Sequence, residues 1–155
     1  MDLGDIVQTD GIVPELKASS KKQVLHELAD LAADKTGRPA REIFDTLLQR
    51  ERLGSTGLGR GIAIPHIKLR GLDDIFCLFA RLPEPIDFES VDGEPVDLIF
   101  LLLAPEHASG DHLKALSRIS RLMRAPAALE NLRTAASGAA IHDILCADVK
   151  APHAA

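Results

Sequence analysis

Tryptophan and tyrosine are absent from this 155-residue chain, and five phenylalanines supply its whole aromatic content of 3%. Stacking platforms for nucleic-acid bases are therefore scarce. The formal net charge of −5 leaves no basic stripe for a phosphate backbone, which argues against a nucleic-acid partner. Cysteine is nearly absent too. Cys77 and Cys146 stand far apart in apolar surroundings, too few for a disulfide framework or a four-cysteine zinc site. They read as two buried thiols in a reducing compartment. The longest uninterrupted apolar run, Leu98 to Ala104, has seven residues, against the roughly 20 that a membrane-spanning helix needs. The acidic start, Met1 to Asp5, has no basic region followed by an apolar stretch, so no signal peptide is read. The expectation is a cytoplasmic protein with no membrane insertion.

What is present is a globular composition, 46% apolar and 26% charged, which excludes disorder over the whole chain. The length fits one domain, placed over 1–147 with a frayed tail at 148–155. Ile12 to Lys17 reads as a short edge strand because Pro14 is barred from a central one. Ser20 followed by Gln23 forms a capping-box pattern, with Val24, Leu28, Leu31 and Ala32 at helical spacing and Gly37 as a stop. Pro39 suits the first turn of a second helix, its apolar face Ile43, Phe44, Leu47 and Leu48, ending near Leu53.

The period then changes. Ile62 to Ile64, Ile75 to Leu82 and Val96 to Leu103 read as strands buried on both faces, separated by turn signals at Pro83-Glu84-Pro85 and Asp92 to Pro95. Helical spacing returns with a stripe of Leu113, Leu116, Ile119 or Ser120, and Met123, capped by Ser109 or Asp111. A helix opened by Pro126 and another over Ser137 to Leu145 follow. The order implies an α/β domain with a mixed central sheet flanked by helices.

One segment carries chemistry. Between Gly54 and Gly61 four glycines fall in eight residues, with Ser55 and Thr56 among them. Backbone N–H groups freed of side-chain bulk can line an anion site; the same composition also suits a flexible connector. The spacing Gly57-x-Gly59-x-Gly61 is not a dinucleotide fingerprint, and Arg60-Gly61 replaces the Lys and Ser/Thr of a P-loop. His66 is read as ending the following strand, just after Pro65, where a neutral imidazole can act as a nucleophile. His112 lies at the start of a helix, whose N–H groups and dipole favour a phosphoryl group. Arg50 would complement an anion in the loop, or simply end a solvated helix. His66, His107 and His112 lack metal-ligand spacing, so no metal or cofactor is expected. His26 and His142 read as helix-surface residues and His153 as part of the tail. Asp73-Asp74 reads as a turn, since neighbours on a strand point to opposite faces.

The run Arg50-Glu51-x-Leu53-Gly54-Ser55-Thr56-Gly57-Leu58-Gly59-x-Gly61-Ile62-Ala63-Ile64-Pro65-His66 resembles the active-site signature of the mannitol/fructose-type IIA family of the bacterial phosphotransferase system. Within that family it is most similar to the nitrogen-regulatory branch. The similarity continues through Pro85 to Phe88, Pro95 to Leu102, and His112-Leu113 with Leu116. The resemblance implies an α/β fold and a phosphohistidine carrier rather than a turnover enzyme. It implies that His66 accepts a phosphoryl group from an HPr-like phosphocarrier, with Arg50 and His112 stabilising it and Ser55, Thr56, Gly57 and Gly59 forming the phosphoryl-binding loop. Ile67 departs from the glycine that often follows the histidine, which would bear on partner docking or loop mobility. The chain shows no attached IIB or IIC portion, which fits a stand-alone regulator of partner proteins. The alternatives are a sugar-specific IIA component that passes phosphate to a IIB domain, or a binding module in which His66 is unused. Leu58, Ile62, Ile64 and Ile67 border His66 and are expected to form an apolar docking face.

Overall fold

Ser20 opens the first long helix as its sequence suggests: the Ser20 hydroxyl oxygen accepts the N–H of Gln23 at 3.1 Å. The reciprocal arm of the box shifts by one residue, because Gln23 Oε1 accepts from the N–H and hydroxyl of Ser19 instead. This is α2, Lys21–Thr36, closed by Gly37 at φ 75°. It follows a short α1, Leu3–Ile6, and a two-residue strand β1, Ile12–Val13, that stops at Pro14 as a strand meeting proline must. Nothing in the acidic N-terminal sequence suggested α1. Its Leu3 and Ile6 are nonetheless buried. The computed structural model describes residues 3–107 and 110–148. The expected cap Ser109, and the expected tail beyond Asp148 with His153, lie outside them.

Pro39 is the N-cap rather than a first-turn residue of α3, Ala40–Leu53, which ends at Gly54. The glycine-rich stretch is less a loop than a hairpin: β2, Gly57–Gly59, pairs antiparallel with β3, Ile62–Ala63. The strand expected to end at His66 is in fact interrupted. β3 stops, Ile64 and Pro65 bridge, and His66 begins β4, His66–Leu69. Pro65 has no N–H to offer the ladder, yet its carbonyl accepts the N–H of Leu102 at 2.9 Å, so both pieces run parallel to one neighbour.

That neighbour is β6, Val96–Pro105, paired on its other side with β5, Phe76–Ile86. The sheet order is β1-β5-β6-β3-β2, with β4 continuing beside β6 beyond β3. The turn expected at Pro83-Glu84-Pro85 is part of β5 instead. There the register with β6 jumps between Arg81 and Ile86, and β1 pairs only as far as Ala80. The two prolines sit where no ladder partner asks for their missing N–H groups.

β6 explains the two-sided core. Ile99, Leu101 and Leu103 join a cluster with Val24, Leu28, Ile43 and Leu47 of α2 and α3. Leu98, Phe100 and Leu102 join a second cluster on the opposite face. That face is covered by α1, α4 (Asp111–Met123), α5 (Pro126–Thr134) and α6 (Gly138–Asp148). A strand covered on both faces must read as a continuous apolar run. The result is a mixed six-stranded sheet between helices, in one domain.

The α4 stripe is rotated from the expected one. Ala115, Ile119 and Leu122 are buried, whereas Leu113 is 60% exposed. Gly110 is the N-cap, and Asp111 lies in the first turn without capping it. Cys77 is buried, and Cys146 is only partly so, with its sulfur 3.7 Å from His142 Nδ1. Among the described residues no helix is long and apolar enough to cross a membrane.

Candidate active site

Three of the sequence-predicted residues meet at one cavity of about 650 Å³. Arg50 comes from the last turn of α3, His66 from the first position of β4, and His112 from the first turn of α4. Arg52, Lys68 and Gln49 join them, with Leu53, Ile67, Leu102 and Ala104 as apolar lining. No acidic side chain lines the cavity among the described residues. Positive charge against low-dielectric walls is what an anion site requires.

His66 is fixed by a short local bond. Its Nδ1 lies 2.7 Å from the carbonyl oxygen of Ile64. A carbonyl only accepts, so Nδ1 carries the proton and Nε2 keeps the lone pair. The Arg50 guanidinium donates to the Gly54 carbonyl at 2.9 Å, which holds it at the end of α3, where a cation also complements the helix dipole. His112 is part-buried, and its Nδ1 is shielded from solvent with no hydrogen-bond partner among the described residues.

The other four predicted residues do not line this cavity. Ser55 donates its hydroxyl to the Phe88 carbonyl at 2.6 Å and accepts the Gly57 N–H at 2.9 Å. Thr56 is buried, and both its N–H and its hydroxyl donate to the carboxylate of Glu51. The glycines serve close packing. A Cβ on Gly57 would overlap the Ser90 hydroxyl, and one on Gly59, at φ 107°, would press against the Asp92 carboxylate. The Ser55 hydroxyl and the two glycines therefore seat the hairpin against the Phe88–Asp92 segment, and the Thr56 hydroxyl ties it to α3. Sequence reasoning passed over Glu51, naming it only within the signature run. A carboxylate directly before a glycine-hydroxyl run was the available signal.

Of the expected docking face only Leu58, 42% exposed on the hairpin, is at the surface; the three isoleucines are not. Ile62 and Ile64 are at most 2% exposed and Ile67 9%, because both faces of the β3–β4 row are covered: Ile62 and Ile64 join the cluster with α4, α5 and α6, and Ile67 the one with α2 and α3. Ile67 turns into the core beneath α2 and α3, where its bulk is packing. Leu53, which lines the cavity, is 85% exposed, and Leu113, next to His112 in sequence, is exposed too.

Residues 5–147 match the family model "Phosphoenolpyruvate-dependent sugar phosphotransferase system, EIIA 2". A nitrogen regulatory protein of Bradyrhizobium diazoefficiens is 56% identical over 145 residues, covering 94% of this chain and 95% of that protein. A fructose-specific EIIA component of Haloferax volcanii is 35% identical over 145 residues, covering 93% and 94%. The crystal structure of the nitrogen regulatory protein IIA-Ntr from Neisseria meningitidis superposes with a TM-score of 0.88 at 38% identity, covering 92% of this chain and 98% of that one. A matched region that includes Arg50, His66 and His112 on a shared fold places the chain in the EIIA type-2 family of the phosphoenolpyruvate-dependent sugar phosphotransferase system.

Proposed function

We propose that Nε2 of His66 accepts a phosphoryl group from a phosphohistidine on an HPr-like carrier, and that the phosphorylation state governs which proteins this chain binds in the cytoplasm. The observation that carries the reading is the Nδ1–Ile64 carbonyl bond beside a cavity lined by cations. In the transfer, the Nε2 lone pair forms the new N–P bond while the donor's N–P bond breaks and its electron pair returns to the donor imidazole. The His66 ring gains positive charge as Nε2 attacks. The Ile64 carbonyl stabilises that charge through the Nδ1 proton. Arg50 and His112 offer charge and hydrogen bonds to the oxygens in flight, the role such groups play in phosphoryl transfer. The Ser55–Gly59 stretch, leading into the hairpin, contributes by holding the site in shape.

Phosphorylation would add about −1.5 to −2 charges by analogy with other phospho-residues, in a cavity rimmed by exposed Leu53. A partner seated on that apolar rim without a cation of its own would lose contact, so most regulatory partners prefer the unphosphorylated form. The 56% identity to a nitrogen regulatory protein supports regulation as the output. The fructose-specific relative supports a second reading, onward transfer to a IIB domain.

Incubation with the phosphorylated carrier followed by intact-mass measurement tests the acceptor role. A gain of one phosphoryl group, lost in His66→Ala, is expected. No gain in the wild type would leave a binding module. Pull-downs with both forms test the switch, and identical partner sets would reduce the chain to a passive carrier.

A further inference from the structure

Glu51 is a charged residue whose side chain is only 3% exposed, and it does not line the cavity. Its carboxylate accepts the Thr56 N–H at 3.1 Å, the Thr56 hydroxyl, and the Lys21 ammonium at 2.9 Å. Lys21 lies in turn over the Phe88 ring, 4.8 Å from its centroid, and the Phe88 carbonyl accepts the Ser55 hydroxyl. A buried carboxylate is tolerated only with such a full set of donors. The anchor ties the start of α2, the end of α3 and the root of the hairpin to one point.

From Thr56 the connection runs on. The Thr56 carbonyl accepts the Ile64 N–H at 3.0 Å. The Ile64 carbonyl, the next acceptor along, takes the His66 Nδ1 proton at 2.7 Å. Three hydrogen bonds in series thus lead from the buried carboxylate to the ring of the acceptor histidine. The Ile64 carbonyl belongs to the amide with Pro65, which has no N–H, so that peptide group makes no ladder donation of its own. Its orientation is held by the Thr56–Ile64 bond on one side and the Pro65–Leu102 bond on the other.

We infer that Glu51, acting through Thr56 and Ile64, is a positioning residue that selects the Nδ1–H tautomer of His66 and so makes Nε2 the nucleophile. The inference deepens the acceptor reading above and rests on it for its consequence in transfer, but the tautomer itself can be measured without any phosphoryl donor. The chemistry needs this device. A histidine ring held by a single carbonyl can present either nitrogen if that carbonyl swings away, and a misplaced nucleophile loses the in-line geometry that gives most of the rate.

The test is the 15N NMR signature of the His66 ring in histidine-labelled protein. The wild type is expected to show the neutral ring as Nδ1–H. Glu51→Ala should shift it toward the mixture of tautomers of a free side chain and slow transfer from the phosphocarrier on the order of 10²-fold. Thr56→Val should move the ring signals in the same direction, and Thr56→Ser should restore them. The ring of His26, exposed on α2, should not change in any variant. A folded Glu51→Ala protein whose His66 ring stays wholly Nδ1–H overturns the proposal. If that variant does not fold, unchanged ring signals in the near-isosteric Thr56→Val protein overturn it equally. Wild-type protein that takes no phosphoryl group would count against His66 as acceptor, while the ring measurement still decides the role of Glu51.

Discussion

The hairpin from Gly57 to Ala63 and the cavity beside it are neighbours that treat polar groups in opposite ways. In and below the hairpin most polar side chains are committed: Ser55 to Phe88, Thr56 to Glu51, Glu51 to Lys21, and the Asp92 carboxylate to the Arg60 N–H, the buried Ser90 hydroxyl being the exception among the described residues. In the cavity His112 Nδ1 has no described partner, Nε2 is the uncommitted nitrogen of His66, and Arg52 and Lys68 make no ion pair with described residues. The difference separates a hydrogen-bonded frame from the surface proposed to react. Saturated hydrogen bonding fixes shape at a cost in chemical availability, whereas unsaturated groups are available only if something else fixes them.

The comparison breaks most completely at His66. His66→Ala should abolish phosphoryl acceptance as read by intact mass. Stability should fall by no more than about 1 kcal/mol in chemical denaturation, since one hydrogen bond is lost. A large stability loss would mean that the residue belongs to the frame after all. The next step down is the pair Arg50 and His112. Each →Ala change should slow transfer by about 10²–10³-fold, the worth of one donor to a reacting group, measured by quenched-flow labelling. Unchanged rates in both variants would reassign them to structure.

The frame should answer to the opposite kind of change. Gly61 sits at φ 80°, and a Cβ there would collide with the guanidinium of Arg133 and the carboxylate of Asp97, which are paired at 2.9 Å. Gly61→Ala should cost about 1–3 kcal/mol in urea unfolding. Equal stability would show that the hairpin yields more readily than its bonding suggests. The smallest effect concerns pH. The N–H groups of Glu94 and then Arg60 hold the exposed Asp92 carboxyl below its usual value. A depressed folded value gives stability that is present above the unfolded pKa near 3.9 and lost as pH falls through the folded one. Asp92→Asn should therefore lower the thermal midpoint slightly at neutral pH. The gap to wild type should close below about pH 4. A gap that widens in acid would reverse the assignment.

The sequence made the reactive side more legible than the frame. Arg50, His66 and His112 were singled out by side-chain type and position, with surface readings left open until the family resemblance joined them, and the fold brings all three to one cavity. Ser55 and Thr56 were readable as special, but their inward bonds depend on Phe88 and Glu51, which only the fold brings near. The apolar runs of β5 and β6 declared a sheet covered on both faces. The same fact hid that Ile62, Ile64 and Ile67 were core rather than docking surface, because an isoleucine run reads alike in either place. Pro83 and Pro85 looked like a turn because the rule against proline in strands assumes a partner asking for the N–H, and the register jump removes the partner. The α1 residues Leu3 and Ile6 escaped notice because four residues are too few to show a period.

The break at Ile64 and Pro65 has one more consequence. β2 covers β3, but among the described residues no strand covers the outer edge of β4. His66, Ile67 and Lys68 of that row line the cavity, and an open strand edge is also a template on which another chain could add a strand. Lys68, exposed in the middle of β4, is the kind of charge that discourages such growth. One ammonium thus lines the cavity and stands against strand addition at this edge.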